Sequence, residues 1–289
     1  MNLNDSQVIQ SKSKINYSYA TIKITQSRLD KGLISIPISL AEWFPPHNTN
    51  IKIYLDDSSN LQIKNYSSYS SSTHECRIGG MAEWYKKNKI KSGDEIVIQI
   101  IDRDQLIYRI ISEKIFIQKT KDIQNNFDNA ENEDEASEKI IILSKWTESD
   151  NKIVILNEFN RLINTISINE RRYVKKHTMK AKEVAPYNLK VLLGEIYKGH
   201  CQVCDFWFLK KDLKPYFEIH HIKPIEGNNP KNLILVCANC HRQFEYADVS
   251  HEFDYDNWLI RVTFNKKILS INQIMLKEKL KDSYKMLYI

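Results

Sequence analysis

The sequence predicts an α+β protein of two domains, with a β-barrel-like N-terminal half and a mixed C-terminal half joined by an acidic connector. Three observations carry this. Short apolar runs broken by turn residues fill the first 120 positions. The stretch from Asp122 to Glu138 is dominated by Asn, Asp, Glu, Ala and Ser, a composition too poor in apolar side chains to build a core. Beyond it, apolar residues recur at helical spacing and then give way to a dense Cys- and His-rich segment. The domains are accordingly placed at 1–120 and 140–289, with 121–139 as linker and 199–247 as the core of the second. A chain of 289 residues, 42% hydrophobic, has the length for two cores.

The elements follow in order. Residues 1–15 read as a polar arm. Ser18 to Ile24 alternates as a strand, and Leu33 to Ile36 follows the turn Asp30-Lys31-Gly32. Pro37 to Phe44 suggests one helical turn, stopped by Pro45-Pro46. Ile51 to Leu55 and Leu61 to Lys64 alternate around Asp56-Asp57-Ser58-Ser59-Asn60 and form a hairpin. Gly80 to Asn88 is a short helix, Lys91 to Asp94 a turn, and Glu95 to Ile101 and Leu106 to Ile117 are strands. After the connector, Ile153, Leu156, Phe159, Leu162, Ile163 and Ile166 mark a helix. A second helix, Glu170 to Val184, carries Arg171, Arg172, Lys175, Lys176, Lys180 and Lys182, either as a phosphate-binding face or as a solvated one. Asn188 to Tyr197 is a third. Trp258 to Phe264 and Ile268 to Ile271 read as paired strands, and Ile274 to Met286 as a closing helix.

Charge is distributed unevenly. Residues 1–120 carry 16 Lys+Arg against 12 Asp+Glu, 121–150 carry 3 against 9, and 151–289 carry 23 against 15. Two basic units flanking an acidic bridge suit a polyanion, and nucleic acid is the commonest. No apolar run reaches the about 18 residues that a membrane-spanning helix needs. The polar stretch Met1 to Ser13 lacks the apolar centre of a signal peptide, so a cytoplasmic protein is expected. Four of the five cysteines form two Cys-x-x-Cys pairs, which in a reducing compartment read as zinc ligands rather than disulfides. Cys76 is left over.

The chemistry concentrates between Cys201 and His241. Cys201 and Cys204 put two thiolates on one turn, and Cys237 and Cys240 do the same further on. Four thiolates close a tetrahedral Zn²⁺ site with no open position, which makes that zinc structural. Between the pairs, Glu218 to Ile222 and Leu233 to Val236 read as two strands, with Gly227-Asn228-Asn229-Pro230 in the loop, and a helix begins at Ala238. This β-hairpin followed by a helix brings His220 and His221 opposite His241. A second metal bound by His220 and His241 keeps positions open to water and phosphate, as metal-assisted phosphodiester cleavage requires. Adjacent residues of a strand point oppositely, so one His of the pair can bind metal while the other serves as a general base. Glu218 either supports a ligand or is merely exposed, and Lys223, Arg242 and Gln243 either touch phosphate or are solvated.

Glu-x-His-His-x-x-Pro, Asn-Leu-x-x-x-Cys-x-x-Cys-His and both Cys pairs resemble the His-Asn-His (HNH) endonucleases, the ββα-metal nucleases, in their zinc-stapled form. The resemblance implies His221 as general base, His220 and His241 as ligands of a catalytic Mg²⁺ or Mn²⁺, and Asn232 as the residue that holds the hairpin loop and aims His221. In the first half, Ile24 to Gly32, the following Ile-rich strand and Met81 to Glu95 resemble the plant-type pseudobarrel DNA-binding domain, which also occurs in recognition domains of bacterial restriction enzymes. That resemblance implies two DNA-gripping loops, one near Gln26, Ser27 and Arg28 and one over Tyr66 to Arg77, with Arg77 a contact residue. Together they imply a site-specific endonuclease of double-stranded DNA, restriction-like, with or without dependence on a modified base, and a homodimer if both strands are cut together. A non-catalytic zinc-containing DNA-binding regulator and a homing or RNA-directed nuclease stay open as alternatives.

Overall fold

The computed structural model describes residues 6–9, 15–70, 75–167 and 184–275. The helix expected over Glu170 to Val184 and the closing helix over Ile274 to Met286 fall almost wholly outside these, as do His74, His177 and most of the N-terminal arm. The fold is mixed α+β. The chain divides into two compact units, residues 1–125 with 143–149 and residues 126–142 with 150–289. No helix among the described residues is long and apolar enough to cross a membrane.

The first unit is built on one nearly closed, barrel-like sheet. Its strands are β1 (Ser6–Ile9), β2 (Tyr19–Lys23), β3 (Ile34–Ile36), β4 (Thr49–Leu55), β5 (Leu61–Ser67), β6 (Cys76–Ile78), β7 (Glu95–Asp102) and β8 (Ile107–Ser112), in the order β1-β2-β7-β8-β4-β5-β6-β3. All pairings are antiparallel except that of β4 with β8. Strand alternation turns Ile51, Ile53 and Leu55 of β4 inward against Ile34, Ile78, Ile96, Ile98 and Tyr108. Along β7 the run Ile96 to Gln99 is buried without alternation, as expected for a strand covered on both faces. Gln99 donates to the Trp146 carbonyl at 2.7 Å, and the Trp146 indole donates to Thr120 Oγ1 at 3.0 Å.

Helix α1 (Gln26–Lys31) ends at Gly32, whose φ of +59° suits glycine. The 3₁₀ turn Ile38–Trp43 and helix α2 (Ala82–Lys87) occupy the positions expected for helical segments. The hairpin of β4 and β5 pairs in register from Thr49↔Tyr66 to Tyr54↔Leu61.

Two expectations need correction. The strand anticipated to Ile117 stops at Ser112, and helix α3 (Glu113–Asp128) takes over. The acidic stretch expected as a linker is largely helical: it is covered by the end of α3 and the start of α4 (Glu133–Thr147). Its acids favour helix because of where they sit. Glu133, Asp134 and Glu135 occupy the first turn of α4, where the helix dipole favours negative charge. Asn132 Oδ1 accepts from the Glu135 N–H at 2.8 Å, and the Glu135 carboxylate accepts from the Glu131 N–H at 2.9 Å, so both side chains satisfy backbone donors at the helix start. Both helices carry a buried stripe at helical spacing: Phe116, Thr120, Ile123 and Phe127 in α3, Ala136, Ile140, Leu143 and Thr147 in α4.

In the second unit, α5 (Asn151–Thr165) is capped by Asp150, which accepts from the Lys152 N–H at 2.8 Å. Arg161 binds Asp128 through two bonds of 2.6 and 2.8 Å and Glu158 at 2.7 Å, so the fully buried Glu158 keeps a cationic partner. Helix α6 (Tyr187–Tyr197) leads into β9 (Glu218–His221), a 3₁₀ turn (Pro230–Asn232), β10 (Leu233–Val236) and α7 (Ala238–Tyr246). A three-stranded meander of β11 (Val249–Phe253), β12 (Leu259–Phe264) and β13 (Lys267–Ser270) follows. Cys201, Cys237 and Cys240 belong to the same core as Ile222, Ile234, Val236, Leu259, Val262 and Phe264.

The junction between α6 and the first Cys pair depends on Gly199. Its φ is +73°, and a Cβ there would lie 2.3 Å from the Pro215 Cβ. Gly199→Ala is therefore expected to destabilise the protein by more than about 1 kcal/mol through strain and overlap. Urea unfolding measures this, and an unchanged midpoint would refute the close approach.

Candidate active site

The four cysteine sulfurs lie within 4.8 Å of one another, with Cys204 and Cys237 Sγ 3.7 Å apart. Sulfurs around a tetrahedral Zn²⁺ with bonds of about 2.3 Å stand about 3.8 Å apart, so the donor set fits that ion. Local structure delivers them. Cys237 is the N-cap of α7, its sulfur accepting from the Cys240 N–H at 3.4 Å, so the second pair sits on the first turn of the helix. The hydrogen bond shared with Cys240 pulls the Cys201 thiol down to about 5 and pushes the Cys240 thiol up. Sulfurs this close cannot all ionise unless a cation offsets their repulsion.

Gln202 joins this cluster to the hairpin. Its N–H donates to the Leu235 carbonyl at 2.9 Å and its Oε1 accepts from the Leu235 N–H at 2.8 Å. The side-chain amide also donates to the Asn272 carbonyl at 3.1 Å. Nothing in the sequence marks Gln202, because its partners lie more than thirty residues away.

The hairpin pairs β9 with β10 from Leu233↔His221 to Val236↔Glu218. Its loop is pinned by Asn232, which is 4% exposed. Asn232 Oδ1 accepts from the Lys223 N–H at 2.8 Å, and Nδ2 donates to the Lys223 and Gly227 carbonyls, both at 2.9 Å. Both N–H donors of this amide, and its oxygen once, are spent on loop backbone. The same loop presents Asn228, whose Oδ1 lies 2.8 Å from His221 Nε2. With Nε2–H donating to that oxygen, His221 Nδ1 carries the lone pair.

His220 and His241 come together as expected, ring centroids 5.2 Å apart and nearly perpendicular. Phe244, one turn on from His241 in α7, stacks on His220 at 4.2 Å. Burial, reinforced by the neighbouring His241, His221 and His251, pushes the His220 imidazole down to about 3. It is thus neutral at physiological pH, as a metal ligand must be. His241 Nδ1 contacts Glu218, which also accepts from the Tyr216 hydroxyl. Burial acts to raise the Glu218 carboxyl, but the hydrogen bonds from Tyr216 and His241 outweigh it and hold the group below its ordinary range. Glu218 is therefore an orienting carboxylate and not a free surface residue: with Nδ1–H donating to it, His241 Nε2 is left available.

These side chains line one cavity of about 670 Å³, walled by Glu218, His220, His221, Pro224, His241 and Phe244 among others, with Lys190 and Lys210 at its edge. A divalent ion fits this donor set through the two imidazoles with room for other ligands. Tyr216, Asn228 and His251 join the site without any motif to announce them. His251 stands 6.0 Å from the Phe244 ring, on β11, a strand not anticipated.

In the first unit, Ser27, Arg28 and Arg77 line a cleft of about 430 Å³ together with Lys23, Lys31 and Glu75. Gln26 lies beside them on α1, its amide donating to Asp30 at 2.8 Å. Gln26 to Arg28 are helical and not an extended arm. Arg77 lies on β6 opposite Ser35 of β3. Arg28 pairs with Glu75 through two contacts of 3.3 Å. The region Tyr66 to Arg77 includes 71–74, which lie outside the described residues.

Replacing Cys237 with Ser should lower zinc content well below roughly one ion per chain and depress the melting temperature. Metal analysis of the purified protein measures the first effect, and full zinc retention would refute the four-sulfur site.

Residues 201–245 match the HNH endonuclease family. The chain is similar to the type IV methyl-directed restriction enzyme EcoKMcrA of Escherichia coli (strain K12), with 33% identity over 60 residues, 19% of this chain and 22% of that protein. It thus spans about a fifth of that relative's length. Among solved structures, the Arabidopsis FUS3–DNA complex has a TM-score of 0.27 at 14% identity, covering 32% of this chain and 92% of that one. The N-terminal domain of Helicobacter pylori LlaJI.R1 has a TM-score of 0.26 at 17% identity, covering 32% and 77%. The segment 201–245, with its paired cysteines and its His-Asn-His hairpin and helix, is an HNH endonuclease domain.

Proposed function

We propose that this protein is a metal-dependent endonuclease of double-stranded DNA with a restriction role. The single observation that carries the reading is the convergence of His220, His221 and His241 on one cavity, with Asn232 fixing the loop beside them. The similarity to a restriction enzyme supports the same class of substrate. In this reading the first unit supplies sequence recognition, because a site built around phosphate cannot itself read base edges. The cleft lined by Ser27, Arg28 and Arg77 is its candidate contact surface, with Gln26 alongside. Cleavage of both strands by one centre per chain calls for a homodimer or for sequential nicking. Site specificity, sensitivity to base modification and a cytoplasmic location belong to the same proposal.

The chain's own groups divide the work. His221 Nδ1 takes the proton from the attacking water, and the hydrogen bond from Nε2–H to Asn228 Oδ1 fixes the tautomer and stabilises the imidazolium that forms. Water oxygen bonds to phosphorus as the bond to the leaving 3′ oxygen breaks. His220 and His241 would hold Mg²⁺ or Mn²⁺, which neutralises the scissile phosphate and the leaving 3′ oxygen when bound. Glu218 and Tyr216 keep His241 aimed into the cavity. Burial keeps His220 neutral at physiological pH.

The test is digestion of unmodified and methylated plasmids with Mg²⁺ or Mn²⁺. A discrete fragment pattern is expected. His221→Ala should lower the cleavage rate by about 10²- to 10⁴-fold while zinc content and DNA binding persist. Undiminished cleavage by that variant would sink the assignment of the base. Specific binding with no cleavage by the unaltered protein would favour a DNA-binding regulator.

A further inference from the structure

Between the first Cys pair and β9 the chain makes a small hairpin that the site described above does not use. Its sequence is Phe206-Trp207-Phe208-Leu209-Lys210-Lys211-Asp212-Leu213-Lys214. The base is fixed: Cys201 N–H donates to the Phe206 carbonyl at 3.0 Å, and Tyr216 N–H to the Phe208 carbonyl at 3.0 Å. The tip is closed by the Lys210 N–H donating to the Lys214 carbonyl at 2.8 Å, with Leu209 bridged to Pro215.

This rigid element carries its apolar side chains outward. Phe206 is 55% exposed, Trp207 47% and Leu213 77%. Leu213 also has a φ of +61°, a conformation uncommon for a non-glycine residue. Exposed apolar surface and backbone strain at one tip residue are both unfavourable in the free protein, and such strain tends to gather where a ligand is gripped. Three lysines surround the tip. Lys210 and Lys214 pair with Asp212 and Asp134 at 3.4 and 2.6 Å, contacts of the exposed kind that contribute little and exchange readily for phosphate. The hairpin is continuous with the catalytic cavity, because Lys210, Pro215 and Tyr216 line its wall.

We propose that this hairpin is a wedge for duplex DNA: Leu213 at its tip inserts at a base step beside the scissile phosphate, Phe206 at its base adds apolar contact, and Lys210, Lys211 and Lys214 hold the flanking backbone. The proposal rests on the reading of the protein as a DNA endonuclease. Apolar side chains between base steps unstack them and kink the duplex, and the larger protein surface that a bent duplex can wrap offsets the unstacking. The wedge brings the phosphate to a centre that lies in a half-open cavity.

The test compares the full chain with Leu213→Gly, which also relieves the backbone strain, and with the double variant Phe206→Ser, Leu213→Gly. Neither residue belongs to the metal or proton-transfer groups. Hydrolysis of bis(p-nitrophenyl) phosphate and zinc content should stay unchanged, whereas plasmid cleavage should fall by about tenfold or more. A duplex bulged at the mapped cleavage position should restore most of the loss. Permanganate oxidation of plasmid DNA bound by the His221→Ala chain should reveal unstacked thymines, and adding the wedge substitutions should remove them. Plasmid cleavage and thymine reactivity unaffected by the double variant would overturn the wedge, as would a loss of self-association that alone accounts for the lost cleavage. If the unaltered protein unstacks thymines but cuts nothing, the nuclease reading fails and the wedge stands. Absence of DNA binding overturns both.

Discussion

The C-terminal unit depends on gathering four cysteine sulfurs into a sphere a few ångströms across. Two come from a turn after α6 and two from the first turn of α7, with the whole hairpin between them. Sulfurs so placed repel one another once ionised, and a tetrahedral cation converts that repulsion into a crosslink. Between 205 and 216 the large apolar side chains Phe206, Trp207, Phe208, Leu209 and Leu213 face outward and add little to the core. One of its core clusters closes around the cysteines themselves, together with Ile222, Ile234 and the strands that follow. A metal bound to these sulfurs would couple its binding to folding.

Upon that staple rests a layer of polar groups that orient and do not react. Asn232 spends its amide on the loop backbone, Asn228 faces His221, and Glu218 with Tyr216 faces His241. The effect is to engage one ring nitrogen of His221 and one of His241, which leaves the other nitrogen of each ring to face the cavity. Phe244 and the burial it provides keep His220 neutral. A hydrolytic site needs this division, because a protonated ligand would repel the metal and an unoriented base would waste proton-transfer geometry.

The N-terminal sheet solves a different problem. Its strands bury a continuous aliphatic interior, and the cations Lys23, Arg28, Lys31 and Arg77 gather at one cleft with Glu75 among them. The Arg28–Glu75 pair partly neutralises that cleft, so a phosphate or base edge that binds there must compete with an existing contact.

Much of this is legible in the sequence wherever chemistry is local. Two Cys-x-x-Cys pairs can each sit on one turn, and the β10 strand Leu233 to Val236 is bounded as expected because its neighbours are a turn and a helix cap. His220, His221, His241 and Asn232 are recognisable because their spacing is set by one hairpin and one helix. The acidic stretch misleads because composition alone does not distinguish a solvated chain from a helix N-terminus rich in acids. The buried stripe of Ala136, Ile140 and Leu143 is the signal that separates them. Gln202, Tyr216 and Asn228 are invisible for another reason: each acts through a partner chosen by folding. The sequence by itself determined which side chains carry metal-ligating and proton-accepting atoms at close spacing, since those are properties of side-chain type and short-range order. Only the tertiary structure decided which nitrogen of each histidine is engaged, where the apolar hairpin points, and that Ser27, Arg28 and Arg77 share a cleft, because these depend on contacts between residues far apart in the chain.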